Sequence, residues 1–158
     1  YSAMAQFNTK EEFMEGNLFD FIEEYAMNIL NRSDRLKVQV VRSDTEGIEM
    51  KFVPQNIAII LDNVVSNSTK YNANELRVLL GKDEKQYTID FIDDGDGVSS
   101  DIADLNELFE FGKGYTLTGT GVGLYHIKDI VEKDLQGTVT IESEPQKGFA
   151  LHVRFGKV

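Results

Sequence analysis

The sequence predicts an α+β fold: a two-layer sandwich with a mixed, mainly antiparallel sheet and helices on one face. Three observations carry that expectation. Short β-branched or alternating runs recur along the chain, helical stripes of apolar residues separate them, and glycine-rich loops interrupt the second half. The order is helix, two strands, helix, two strands, glycine loops, helix, two strands. At 158 residues and 41% hydrophobic composition, the chain is long enough for one well-filled core and too short to need a second.

Taken in order, residues 1–16 are acidic and weakly patterned. They read as the tail of a preceding helix or as appended residues, with the folded domain over 17–158. Asn17 is a suitable N-cap for a helix whose apolar stripe runs Leu18, Phe19, Ile22, Tyr25, Ala26, Ile29 and Leu30 and stops near Asn31. Leu36–Val41 and Ile48–Val53 flank the turn-rich Ser43-Asp44-Thr45-Glu46-Gly47, so an antiparallel hairpin is expected there. Pro54 opens the central helix where proline is tolerated. Leu76, Val78 and Leu80 alternate as a half-buried strand, and Tyr87–Ile92 forms the next. Ile102–Phe109 predicts a short helix, and Gly112–Gly123, poor in apolar anchors, a mobile loop. Leu124, Ile127, Ile130 and Val131 mark a third helix, and Thr138–Glu142 and Phe149–Phe155 two closing strands.

Charge and composition exclude several functions. A net charge of -11 and a pI near 4.6 argue against non-specific binding to nucleic acid or to an anionic membrane, both of which reward clustered Lys and Arg. The lack of cysteine removes disulfides, thiolate metal sites and cysteine nucleophiles, and two histidines are too few for a multi-histidine metal centre. No apolar run is long enough to span a bilayer and no signal-peptide pattern opens the chain, so a cytoplasmic domain without membrane contact is expected.

Three stretches carry chemistry. In Asp62–Tyr71, read as helix, Asn63, Asn67 and Lys70 fall on one face beside the core stripe Ile57, Ile60, Leu61 and Val64. A polar row at the edge of a buried face suggests the wall of a pocket. Gly119-Thr-Gly-Val-Gly123 stands directly before a helix, where backbone N–H groups and the helix dipole suit a phosphate. It is neither a Walker loop nor a Rossmann fingerprint, and taken alone it also reads as a flexible hinge. Asp93-Asp-Gly-Asp-Gly97 reads three ways: a calcium loop lacking the EF-hand spacing, a simple acidic turn, or a strand end whose buried Asp accepts a hydrogen bond from a ligand amino group.

Together, Asn63-x-x-x-Asn67-x-x-Lys70-Tyr71, Asp93-x-Gly95-x-Gly97, Leu108-Phe109-Glu-Phe111 and Gly119-x-Gly121-x-Gly123-Leu124 resemble, in order and spacing, the N, G1, F and G2 boxes of the catalytic domain of sensor histidine kinases. That ATP-binding domain belongs to the gyrase, Hsp90, histidine kinase and MutL superfamily and has a Bergerat-type fold. The resemblance runs from about Asn17 to the C-terminus. It implies ATP and Mg²⁺ as cofactors, with Asn67 the metal ligand and Asn63, Asn67 and Lys70 the catalytic row. Tyr71 would line the nucleotide pocket, Asp93 would accept from the adenine amino group, and Gly95 and Gly97 would leave space beneath the base. Gly119, Thr120, Gly121, Val122, Gly123 and Leu124, with Lys113, would contact or flank the phosphates.

The implied activity is transfer of a γ-phosphoryl group to a histidine on a separate dimerisation domain, with a response regulator downstream, a monomeric isolated domain and a parent protein that can be membrane-anchored. His126 and His152 lack the acceptor context and read as structural. Two departures bear on this. The position at which hydrolases of the superfamily carry a glutamate base is Asn63, which favours transfer over a gyrase- or MutL-type ATPase. Gly148 is followed by Phe149-Ala150-Leu151 where the family usually has a hydroxyl residue, so a contact near adenine is missing from that position. A degenerate nucleotide-binding module without transfer is the remaining alternative.

Overall fold

The computed structural model describes residues 12–32, 35–98, 104–110 and 123–156. Strands β1 (Met14–Asn17) and β3 (Glu49–Phe52) form a small antiparallel pair. The main sheet holds β2 (Lys37–Arg42), β4 (Glu75–Lys82), β5 (Tyr87–Asp93), β6 (Thr138–Ser143) and β7 (Phe149–Phe155) in the order β2-β4-β5-β7-β6. Only β2 and β4 run parallel. Helices α1 (Leu18–Asn28), α2 (Pro54–Lys70) and α3 (Gly123–Asp134) supply the second layer. This is the expected α+β sandwich.

Each helix starts where its local chemistry allows. The Asn17 side chain accepts from Asp20 N–H at 3.1 Å and donates to the Glu46 carbonyl at 2.7 Å, capping α1 and tying it to the loop after β2. After Asn28 the helix tightens into a 3₁₀ turn, Leu30–Arg32, and the Asn31 carboxamide pairs with both backbone groups of Val38 at 2.7 Å. Pro54 occupies the first turn of α2. Leu18, Phe19, Ile22 and Ala26 of α1, Ile57, Leu61 and Val64 of α2, and Ile127 and Val131 of α3 meet the inward row of the sheet. That row includes Val78, Leu80, Ile89, Phe91, Leu151, Val153 and Phe155.

Three expectations need correction. The predicted hairpin of Leu36–Val41 with Ile48–Val53 does not form: β2 pairs in parallel with β4, and β3 pairs with β1. Parallel strands need a crossover of a dozen or more residues, and α2 provides it. The loop between β2 and β3 is folded for other work: buried Asp44 accepts from Glu46 and Gly47 N–H at 3.3 and 3.2 Å, while Arg42 reaches Asp20 and Glu23 on α1 at 2.7 and 3.1 Å. Second, Met14–Gly16, read as the end of a helix, is extended, because β3 offers it a partner. Third, the predicted helix over Ile102–Phe109 is a 3₁₀ helix, Leu105–Phe109, in the part that the structure describes.

Candidate functional site

Strand β5 builds the site. Its inward row, Ile89, Phe91, Asp93, runs from apolar to ionisable without leaving the buried face. Asp93 stands between Leu76 of β4 and Phe149 of β7 and is 7% exposed. A carboxylate so placed is costly unless hydrogen-bonded. Here Oδ1 accepts the N–H groups of Gly95 and Phe149 at 3.0 and 3.1 Å, and Oδ2 accepts the Ser68 hydroxyl at 2.7 Å. Asp93 lies on the floor of a pocket with Ser68 and Asn67, and Val64, Leu76, Phe91, Leu124, Phe149 and Leu151 form its apolar walls.

The neighbouring acids turn elsewhere. Asp94 Oδ1 accepts from Asn74 and Glu75 N–H at 2.8 and 3.0 Å, and the bond from Glu75 is the main reason that its carboxyl lies below the usual range. Asp96 accepts from the Asn72 carboxamide at 2.7 Å, and its own N–H donates to the Tyr71 carbonyl at 2.7 Å. Three carboxylates aimed at three different partners do not form a calcium loop. Among the described residues no His, Asp or Glu grouping could hold a metal ion.

Of the polar row on the central helix, Asn67 lines the pocket, while Asn63 and Lys70 are not among its lining residues. Asn67 is half-buried, lines the pocket and makes no side-chain hydrogen bond among the described residues. Its free carboxamide oxygen fits one position of a hard cation that takes its other ligands from water and phosphate. Lys70 is exposed in the last turn of α2, with no ion pair among the described residues. Tyr71 is half-buried, and burial raises the pKa of its phenol. Asn63 donates to its own helix at the Ile59 carbonyl, 2.9 Å, and its Oδ1 would lie 3.2 Å from a Cβ on Gly123, so that glycine allows α3 to close on α2. Asp62 points away from this face. It accepts the Tyr25 hydroxyl at 2.8 Å, and burial together with that bond and charge pushes the phenol up to about 12.

The glycines of the acidic loop act on the protein itself. A Cβ on Gly95 would stand 2.6 Å from the Tyr71 carbonyl, and one on Gly97, where φ is +74°, would collide with the Glu144 carbonyl. The space that they leave is filled by the chain's own backbone, which holds the loop against α2 and the β6–β7 turn. Leu124 of α3 lines the pocket. Lys113, Gly119, Thr120, Gly121 and Val122 lie outside the described residues.

Sequence reasoning missed Ser68, Phe149 and Gly148. Ser68 had a signal: it extends the stripe Ile57, Leu61, Val64, and a polar residue on a buried stripe requires a buried partner. Phe149 contributes its backbone N–H, to which residue type gives no clue. At Gly148 φ is +84° and a Cβ would collide with the Asp93 carbonyl, so only glycine lets β7 approach the acid this closely. A hydroxyl does reach Asp93, from α2 rather than from position 149.

The family described as histidine kinase-, DNA gyrase B-, and HSP90-like ATPase matches residues 52–157. The chain belongs to this family. Sensor protein kinase PilS of Pseudomonas aeruginosa is 28% identical over 142 residues, covering 85% of this chain and 26% of the relative. Heme sensor protein HssS of Staphylococcus saprophyticus is 27% identical over 158 residues, covering 93% and 34%. The chain thus spans about a quarter to a third of these curated relatives. Among solved structures, the catalytic domain of histidine kinase ThkA superposes with a TM-score of 0.72 at 19% identity, over 92% of this chain and 96% of that one. The ATP binding domain of PrrB from Mycobacterium tuberculosis superposes at 0.71 and 19% identity, over 92% and 98%. At those identities the superpositions speak for the fold.

Proposed function

We propose that this chain is the catalytic ATP-binding domain of a two-component sensor histidine kinase, moving the γ-phosphoryl group of Mg·ATP to a histidine on a separate dimerisation domain. One observation carries the reading. A buried carboxylate, Asp93, hydrogen-bonded on both oxygens with one acceptor site left on Oδ2, borders a small apolar-walled pocket that Asn67, a carboxamide without a hydrogen-bond partner among the described residues, also lines. Asp93 accepts the adenine amino group, Asn67 holds Mg²⁺, and Lys70, Lys113 and the run Gly119–Gly123 with Leu124 contact or flank the phosphates. Tyr71 borders the nucleotide, and Gly95 and Gly97 hold the loop that sets the base end. Bound magnesium supplies charge neutralisation at the phosphates; the chain's own contribution is position.

Transfer is favoured over hydrolysis by what surrounds Asn63. Its side chain is neutral and bonded to its own helix, and the adjacent carboxylate of Asp62 is engaged by Tyr25. Neither offers a base to an attacking water. The acceptor histidine belongs to another domain: His126 is exposed on α3, and His152 is held between Asp90 and Glu142. No helix among the described residues is long and apolar enough to cross a membrane. We place the domain in the cytoplasm as a monomer, joined in its parent to a dimerisation domain and serving a response regulator.

The test supplies γ-labelled ATP to the full-length protein. Acid-labile, base-stable label on the protein, with little free phosphate, is expected. Rapid phosphate release without label would assign the ATPase, and nucleotide binding without either would assign a binding module.

A further inference from the structure

We propose that Ser68 is a positioning and specificity residue of the base pocket: its hydroxyl, fixed on Asp93 Oδ2, selects the one acceptor position through which that carboxylate reads a base. The inference rests on the nucleotide reading above and concerns how the pocket distinguishes one purine from another.

A carboxylate offers about four acceptor sites, two on each oxygen. Asp93 Oδ1 uses both of its sites on backbone N–H groups, those of Gly95 and Phe149. Oδ2 uses one on the Ser68 hydroxyl at 2.7 Å. One site remains, on Oδ2, and it suits a single donor. A base presenting an amine satisfies it; a base presenting a carbonyl there meets a carboxylate oxygen with another acceptor and is rejected.

Ser68 is not an ordinary helix serine. Mid-helix serines commonly return their proton to the carbonyl four residues back. Ser68 instead crosses to a residue 25 positions away, in a site where it is 1% exposed and Asp93 7%. Its single proton is therefore committed to the carboxylate. Because Ser68 follows Asn67 directly, one turn of α2 sets both the metal-side oxygen and the orientation of the base-reading acid. Without the hydroxyl, Oδ1 stays pinned by its two N–H donors while Oδ2 presents two open sites, and water or a differently placed donor can take either.

The experiment titrates the wild-type chain, Ser68→Ala and Ser68→Thr with ADP and with inosine diphosphate, which carries a carbonyl in place of the 6-amine, and records thermal melts of all three proteins. Because the Ser68–Asp93 bond is made with and without ligand, Ser68→Ala acts on affinity only through the placement of the Oδ2 acceptor and should weaken ADP by roughly three- to tenfold, less than loss of a direct charge-assisted bond to the ligand would. Inosine diphosphate should bind with nearly unchanged affinity, so that the preference for the amine falls by the same factor. Ser68→Thr, which keeps the hydroxyl, should hold the ratio near its wild-type value. Equal weakening of both ligands in Ser68→Ala, unchanged ADP affinity, or a lost preference in a folded Ser68→Thr protein would overturn the proposal. A wild-type chain that binds neither ligand would instead overturn the nucleotide reading on which it rests.

Discussion

Replacing Asp93 separates what its carboxylate does for the fold from what it does for a ligand. In Asp93→Ala three donors lose their acceptor: the N–H groups of Gly95 and Phe149 and the Ser68 hydroxyl. Each buried orphan costs on the order of 1–3 kcal/mol, so even two of them cost about 2–6 kcal/mol. For a domain of this size that lowers the melting midpoint by about 4–24 °C. In Asp93→Asn the amide oxygen can keep both N–H donors and the Ser68 hydroxyl can turn to accept from the amide NH₂, so the midpoint should move by only a few degrees. The remaining acceptor facing the pocket has then become a donor. A hydrogen bond to a charged group is worth about 1.5–3 kcal/mol, which predicts ADP binding weaker by roughly 10- to 150-fold. Calorimetric titration with ADP beside a thermal melt reads both effects. An Asp93→Ala protein as stable as wild type, or an Asp93→Asn protein that binds ADP with wild-type affinity, would refute the reasoning.

Three further outcomes follow from the same coordinates. Asn67→Ala removes a side chain without a hydrogen-bond partner among the described residues, so its melt should match wild type while the gain in ATP affinity on adding Mg²⁺ disappears in titrations with and without the metal. His152 bridges Asp90 and Glu142 at 2.6 Å on each ring nitrogen; burial opposes its charge, but the two carboxylates outweigh it and its pKa is raised. The stabilisation is present in full below the unfolded value of about 6.5 and is lost as pH rises through the higher folded value. Melting midpoints should therefore decline over that window in wild type and less in His152→Gln. Phe19→Ala empties a fully buried site in the core and should cost about 3–5 kcal/mol in urea unfolding with ligand affinity per folded molecule unchanged.

The three α-helices were legible in the sequence because their evidence is local: Asn17, Pro54 and the stripe of α2 identify starts and faces within a few residues. Strand pairing was not. The runs Leu36–Val41 and Ile48–Val53 identify strands but not partners, and the turn-like residues between them favoured a hairpin that the parallel β2–β4 contact displaced. Asp93 was legible as the end of an alternating strand running into glycines. What anchors it was not, since one donor is a backbone group and another lies 25 residues away on a different element. The roles of Gly95 and Gly97 differ for the same reason: sequence shows that a side chain is absent, and only the fold shows that the Tyr71 and Glu144 carbonyls take its place.

The bond from Phe149 N–H to Asp93 spans 56 residues and joins strand β7 to the end of β5. The floor of the pocket is therefore complete only in a domain whose β7 is docked on β5. Docking of β7 is then the event that neutralises the cost of burying that acid, and a chain interrupted before Phe149 keeps an incomplete floor. A ligand held by Asp93 recognises only the finished domain. At a hundred times its dissociation constant it adds about 2.7 kcal/mol to the stability of that state and none to states in which β7 is undocked. Occupancy of the pocket is in this sense a measure of completed folding as well as of ligand concentration.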